Sequence, residues 1–409
     1  MKTKKKQISK VLRKNHANFW ALTPISFLIR TAYIWPEKIA WIHGKKQNTY
    51  KQLLSRCLKI ADGLRKKGLK KGDTVSAILP NVPAMIECHF AVIMAGGVLN
   101  TINTRLDSES IAFILKHAKT KFLFLDPEFN TVIKESLQKI TTKKHPLLIK
   151  CNDTEFIKSK KILKEITLEK LIKKGNEKTP ILWPKDEWES CALNYTSGTT
   201  GNPKGVVYHH RGAWLTSMSN QMVWSMQKHP IYLWTLPMFH CNGWCFPWTI
   251  TALAGTHICL RKVEAKHIYS AINKHKVTHF CGAPIILSMI INAKKAEVKK
   301  LNNIVKIMTA AAAPPPAILA GIEKKGFDVT HVYGLTEVYG PAVICEWKEE
   351  WNNLKTEKKS QKKARQGVQY PSLEELSIRD PKTMKATPKN GKTIGEVMMR
   401  GNMVMKGYY

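Results

Sequence analysis

The chain has 409 residues, 44% hydrophobic and 23% charged, which excludes a disordered polymer and allows two or three core-bearing units. Its 66 Lys and Arg against 30 Asp and Glu give a net charge of +36. The excess is mostly Lys spread along the whole chain, without clustered Arg and interleaved aromatics, so no nucleic-acid partner is expected and the positive field reads as an attractor of small anions.

Residues 1–18 form a basic tail with no apolar core or small-residue cleavage site, so they are not a secretory signal. Thr49-Tyr50-Lys51-Gln52 opens a helix, with Leu53, Leu54, Leu58, Ala61 and Leu64 at helical spacing. A strand is predicted over 74–79, a helix from Pro83 to Met94, a strand over 99–102, a helix over 108–118 and a strand over 122–126. This alternation predicts a doubly wound α/β unit. Residues 134–188, rich in Lys, Glu and Ile, read as short strands, a surface helix and a connector. A second α/β unit runs from Cys191 to Gly340, with strands over 232–236, 278–282, 304–309 and 328–333. From Gln366 onward, short strands over 374–379, 395–400 and 404–409 predict a small β-rich subdomain. The expected divisions are therefore 19–190, 191–340 and 341–409. The most apolar run, 236–260, is broken by His240, Asn242, Gly243 and His257 and is no membrane span.

The strongest chemical signal is Tyr195-Thr-Ser-Gly-Thr-Thr-Gly-Asn-Pro-Lys-Gly205, set between two apolar strands. Gly198, Gly201 and Gly205 let the backbone approach a bulky anion. Backbone N–H groups, the hydroxyls of Thr196, Ser197, Thr199 and Thr200, and the Lys204 ammonium then converge on phosphate oxygens. It is not a Walker A loop, because Pro203 precedes Lys204 and Gly205 follows it. His240, Cys241 and Cys245, with His257 and Cys259, offer zinc-type donors, but their spacing fits no common finger, and zinc is not expected. Met398, Met399, Met403 and Met405 read as strand core.

The run 195–205 resembles the phosphate-loop signature of the adenylate-forming superfamily, which includes acyl- and aryl-CoA ligases. Val332-Tyr-Gly-Leu-Thr-Glu337 is similar to its second signature, and Leu236-Pro-Met-Phe-His-Cys-Asn-Gly-Trp244 to its acyl-pocket segment. Gly395-Glu396, Arg400-Gly401 and Met405-Lys-Gly-Tyr408 resemble the motif that closes the large domain. The resemblance implies two doubly wound α/β subdomains plus the start of a small β-rich one. It implies ATP, Mg²⁺ and CoA as cofactor and co-substrates, a short- or medium-chain carboxylic acid as substrate, and allows a homodimer.

Residue by residue, it makes Thr196, Ser197, Gly198, Thr199, Thr200, Gly201 and Lys204 the triphosphate loop. Glu337 becomes the acidic Mg²⁺ ligand, with Thr196 sharing the ion. Thr336 becomes the donor to the α-phosphate, and Tyr333 the aromatic on adenine, beside His331, Val332 and Gly334. Ala311, Ala312 and Ala313 form the small-residue turn of the adenine pocket, where many relatives carry Gly. His240, Cys241 and Trp244 sit at the acyl and thiol entrance. Lys204, Thr336, Glu337 and His240 are the expected catalytic set. In the implied reaction, the acid's carboxylate attacks the α-phosphorus and expels pyrophosphate, and a thiol then takes the acyl group. The protein supplies positioning and charge stabilisation rather than a nucleophile.

The resemblance also implies a continuation beyond Tyr409, with a mobile C-terminal domain carrying a further lysine. A truncated chain with impaired adenylation is accordingly expected. The alternative is a non-catalytic nucleotide- or acyl-binding protein that lost this lid. Nine cysteines, an odd number with no Cys-x-x-Cys pair, predict free thiols and a reducing cytoplasm.

Overall fold

The computed structural model describes residues 13–141, 145–156, 166–196 and 203–409. Local sequence sets the elements. Helix Tyr50–Lys66 starts at Thr49, whose side chain accepts from Gln52 while Gln52 reaches back to the Thr49 backbone, a full capping box. Asp107 caps Ser108–His117 by accepting from the Ser110 N–H. Pro83 begins the apolar helix Pro83–Met94, where its missing N–H leaves no unmade bond.

Two large sheets dominate. One has the strand order Gly407–Tyr408, Lys204–His209, Ser190–Thr196, Val98–Thr101, Thr74–Ile78, Phe122–Leu125, Leu147–Lys150, Ile166–Thr167. From Ser190–Thr196 to Ile166–Thr167 its pairs are parallel, and the two pairs at the other edge are antiparallel. The second has nine described strands, with Val305–Thr309 parallel to Phe327–Leu335, which then turns back antiparallel into Gly340–Ile344. The α/β class is as expected.

The divisions along the chain are not those of the sheets. Hairpin Ile39–His43/Lys46–Thr49, not anticipated from sequence, adds to the second sheet by pairing Ile39–His43 parallel to Thr256–Ile258. The strands Ser190–Thr196 and Lys204–His209, expected in the second unit, extend the first sheet. The last strand, expected in the β-rich subdomain, also joins that sheet, through Tyr408 opposite Val206. The small sheet is the pair Glu375–Arg379/Glu396–Arg400. There Met398 and Met399 are only half-buried, whereas Met403 is fully buried. The largest core cluster draws side chains from both sheets, among them Val75, Phe124, Trp41 and Tyr232, and a separate cluster around Phe280 and Ile307 lies within the second.

Polar groups lock the seam between the sheets. The Asn81 Nδ2 donates to the carbonyls of Trp234 (2.8 Å) and Leu236 (3.0 Å), and its Oδ1 accepts from the Met238 N–H (2.8 Å). Arg261, just past Thr256–Ile258, binds both oxygens of Asp126 at 2.8 and 2.9 Å, and Asp153 at 2.9 Å. Asp126 and Asp153 follow strands of the other sheet, so this is a buried clamp between the two. Among the described residues no helix is long and apolar enough to cross a membrane.

Candidate active site

The phosphate-loop sequence is the connection of an antiparallel hairpin. Thr196 pairs with Lys204 across Ser190–Thr196 and Lys204–His209, so the two ends of the loop are held side by side. Ser197, Gly198, Thr199, Thr200 and Gly201 lie outside the described residues. Lys204 is exposed, its Nζ 5.2 Å from the centroid of the Tyr408 ring. The Tyr408 hydroxyl donates to Glu337 Oε1 at 2.8 Å.

The turn Thr336–Val338 follows the long strand Phe327–Leu335 and brings Thr336 and Glu337 to this hairpin. The Tyr208 hydroxyl anchors the turn, donating to the Thr336 carbonyl at 2.7 Å. A cavity of 400 Å³ is lined by Thr196, Asn194, His240, Cys241 and Thr336, with Phe239 at its wall. The Cys241 Sγ lies 3.3 Å from Thr336 Oγ1 and 3.9 Å from His240 Nε2. The neighbouring Cys241 side chain, outweighing burial, raises the His240 imidazole above its usual value. A larger cavity of 1120 Å³, between Pro127, Phe156 and His275, carries none of the residues expected to bind phosphate, adenine or the acid, although Cys259 lies on its wall.

The segment that presents His240 and Cys241 has an unusual backbone. Cys241, Asn242, Gly243, Trp244 and Cys245 all have φ between 44° and 62°, one turn of left-handed helix. For each non-glycine residue this costs about 1–2 kcal/mol, so neighbouring contacts must hold it. Asn194 Nδ2 donates to Asn242 Oδ1, and Asn220 Nδ2 donates to the Trp244 carbonyl at 2.9 Å. Thr101 Oγ1 reaches both Asn194 Oδ1 (3.0 Å) and the Phe239 carbonyl (2.8 Å). Gly340, at φ 109°, admits the Trp244 ring, because a Cβ there would lie 2.7 Å from Trp244 Cδ1. Trp244 is therefore packed behind the turn, buried, and does not line the cavity that His240 and Cys241 face.

Of the residues expected near adenine, Ala311, Ala312 and Ala313 form an exposed turn after Val305–Thr309, with Ala311 at φ 82°. Tyr333 and Gly334 are half-buried on the neighbouring strand. Gly334 lies so near the Gly340 carbonyl oxygen that a Cβ would fall 1.7 Å from it. His331 and Val332 are buried. His331 Nδ1 donates to the Arg365 carbonyl at 2.9 Å, and Val332 belongs to the core, so their side chains face inward. Sequence reasoning left out Thr101, Asn194, Asn242 and Tyr408. Asn194 and Tyr408 stand inside or beside the motifs, but their partners are 48 and 71 residues away and had no local signal.

Among the described residues no group of three His, Cys, Asp or Glu side chains is placed to hold a metal, so the zinc-type donors do not assemble. Glu337 is a single carboxylate with one oxygen bonded to Tyr408, beside the hydroxyl-rich hairpin. That donor set fits Mg²⁺, which takes one or two protein oxygens and keeps water and phosphate for the rest. All nine cysteines are free and buried.

The profile of the AMP-binding enzymes matches residues 28–409. The chain is 47% identical over 407 residues to the peroxisomal acetate/butyrate–CoA ligase of Arabidopsis thaliana, covering 97% of this chain and 72% of that protein. It is 48% identical over 408 residues, with the same coverage, to an acetate–CoA ligase of Humulus lupulus. In fold it is similar to the anthranilate CoA ligase AuaEII in complex with anthranoyl-AMP, with a TM-score of 0.83, 18% identity, and 97% and 73% of the two chains covered. The fold, the site and these relatives define the class of ATP-dependent acyl-CoA synthetases. The chain belongs to the AMP-binding enzyme family. The expected cytoplasmic location is overturned, because the Arabidopsis relative above, a Petunia hybrida trans-cinnamate:CoA ligase and an Arabidopsis benzoate–CoA ligase are peroxisomal by name. Free thiols report a reducing compartment and do not distinguish one from another.

Proposed function

We propose that this enzyme joins a short- or medium-chain carboxylic acid to CoA through an acyl-adenylate, with the 400 Å³ cavity beside Thr336 as the acid's site. The observation that carries the reading is the convergence of Thr196, Thr336, His240 and Cys241 on that one cavity, with Lys204 and Glu337 beside it. Acetate and butyrate are named for the Arabidopsis relative and acetate for the Humulus one, and this supports the choice of a small acid.

The acid's carboxylate lies against His240, which lines the cavity beside Cys241 and presents an imidazole to it. Thr336 Oγ1 donates to the α-phosphate as the carboxylate attacks, and Lys204 takes up charge on the departing pyrophosphate. Glu337 and the Thr196 hydroxyl would hold Mg²⁺, which would supply charge neutralisation for the phosphates. Tyr333 faces adenine over the 311–313 turn. CoA thiol then attacks the acyl carbonyl and AMP leaves. A homodimer and a peroxisomal setting fit this reading. Sedimentation of the purified chain and imaging of the tagged protein decide them.

The test is acid-dependent pyrophosphate release from Mg·ATP over a panel from acetate to decanoate, with an aryl acid included. Release that one acid of two to eight carbons drives best supports the proposal. Preference for the aryl acid overturns the substrate class, and the absence of acid-dependent exchange of pyrophosphate into ATP overturns the adenylate route.

A further inference from the structure

The site reading leaves one contact unused. Tyr408 is 52% exposed, so it adds little to the core, yet its side chain touches both charged groups of the phosphate site. Its hydroxyl donates to Glu337 Oε1 at 2.8 Å, and its ring carries Lys204 Nζ at 5.2 Å from the centroid. The backbone fixes it there. Tyr408 pairs with Val206, the Tyr409 N–H donates to the Gly205 carbonyl (2.7 Å), and the Met405 N–H donates to the Glu337 carbonyl (2.8 Å). His209 Nε2 donates to the Val404 carbonyl at 3.0 Å. The segment from Val404 to Tyr409 is thus laced to the phosphate hairpin on one side and to the Glu337 turn on the other.

We propose that Tyr408 is a positioning residue for the Mg·ATP phosphates, holding Glu337 and Lys204 apart and aimed. The proposal rests on the reading of Glu337 as metal ligand and Lys204 as phosphate lysine. A phenol suits this task. It donates one hydrogen bond to a carboxylate without neutralising it, which fixes the carboxylate plane and leaves the other oxygen for a cation. Its ring face attracts an ammonium through the quadrupole, which draws Lys204 to the ring instead of into an ion pair with Glu337. An Arg or Lys at this place would pair with Glu337 and spend the charge that the metal needs.

The experiment measures ATP binding by calorimetry on the full chain, with excess Mg²⁺ and again with EDTA, so no turnover is required. The ratio of the two affinities reports the metal's contribution. Tyr408→Phe removes the hydroxyl and keeps the ring. It is expected to shrink that ratio by about tenfold, in the range seen when a metal ligand loses its supporting hydrogen bond, while metal-free affinity stays within twofold. Tyr408→Leu removes both and is expected to weaken metal-free ATP binding as well. Glu337→Gln is the reference. If Glu337→Gln keeps the wild-type ratio, the metal-ligand reading fails and this inference falls with it. If Glu337→Gln collapses the ratio but Tyr408→Phe does not, the reading stands and the inference is wrong. Unchanged metal-free binding in a folded Tyr408→Leu protein overturns the Lys204 half alone. Melting temperatures of the variants within a few degrees of wild type establish that they are folded.

Discussion

The chemistry gathers on few side chains. Lys204 is exposed and lies over a ring face, with no carboxylate paired to it among the described residues, and on the proposed reading its charge serves phosphate. Lys204→Ala is expected to slow pyrophosphate release by about 10²–10³-fold, the loss typical of one donor aimed at developing charge, with the melting temperature unchanged. Thr336 is buttressed differently, with its carbonyl bound by Tyr208 and its hydroxyl beside the Cys241 sulfur. Thr336→Val keeps the shape and removes the donor. It is expected to lower kcat by a similar factor with little change in acid KM, and a selective rise in KM would contradict the assignment. Both residues are proposed from sequence because they sit inside dense local motifs. Tyr408, whose partner Glu337 is 71 residues away, was quoted within a motif without a role.

Elements explain why the site keeps its form. The left-handed turn from Cys241 to Cys245 is unfavourable for four of its five residues, and Asn194 pins it from the neighbouring sheet. Asn194→Ala leaves Asn242 buried without that partner, so the turn is expected to relax. The stability loss should be about 1–3 kcal/mol by denaturant melts. The sharper readout is kinetic: acid KM rises about tenfold while ATP affinity holds, because the turn faces the acid cavity. Equal losses for acid and ATP would mean a general collapse instead. No pattern of hydrophobic residues forecasts such a turn. Periodicity reports which face is buried, and this segment is buried on every side.

For the molecule as a whole, the buried polar groups set the conditions of stability. Arg261 clamps the two sheets through Asp126 and Asp153. His43 and Arg261 outweigh burial and hold the Asp153 carboxyl below its usual range. Arg261→Leu strands buried carboxylates and is expected to cost about 3–5 kcal/mol, read from urea unfolding. Acid acts through the histidines. Burial depresses His89 to about 4, His210 to about 4 and His257 to about 3. His257 Nδ1 accepts from the Trp234 indole at 3.1 Å, so protonating it breaks a buried bond. With folded pKa values below the unfolded value, the unfolded chain binds more protons between the two. This stability is fully present above about 6.5 and is lost as pH falls toward 4, at about 1.4 kcal/mol per unit of displacement and histidine. Melting temperature measured from pH 7.5 to pH 4.5 should fall most steeply below 6.5, and a flat profile through that window would refute it.

By itself the sequence determined the α/β class and most helices and strands, because these rest on local spacing, and it placed the motifs from which the site residues are proposed. It also carried a capping box that starts a helix where expected. Only the tertiary structure decided which strands share a sheet, since the chain passes between the sheets and a short strand carries no mark of its partner. Only it showed that Trp244 is buried behind the cavity that His240 and Cys241 line, and that His331 and Val332 are buried. It also showed that a strand from the chain's last residues holds the phosphate hairpin against Glu337. These outcomes depend on hydrogen bonds and packing between residues dozens of positions apart, and composition, period and motif report only on neighbours.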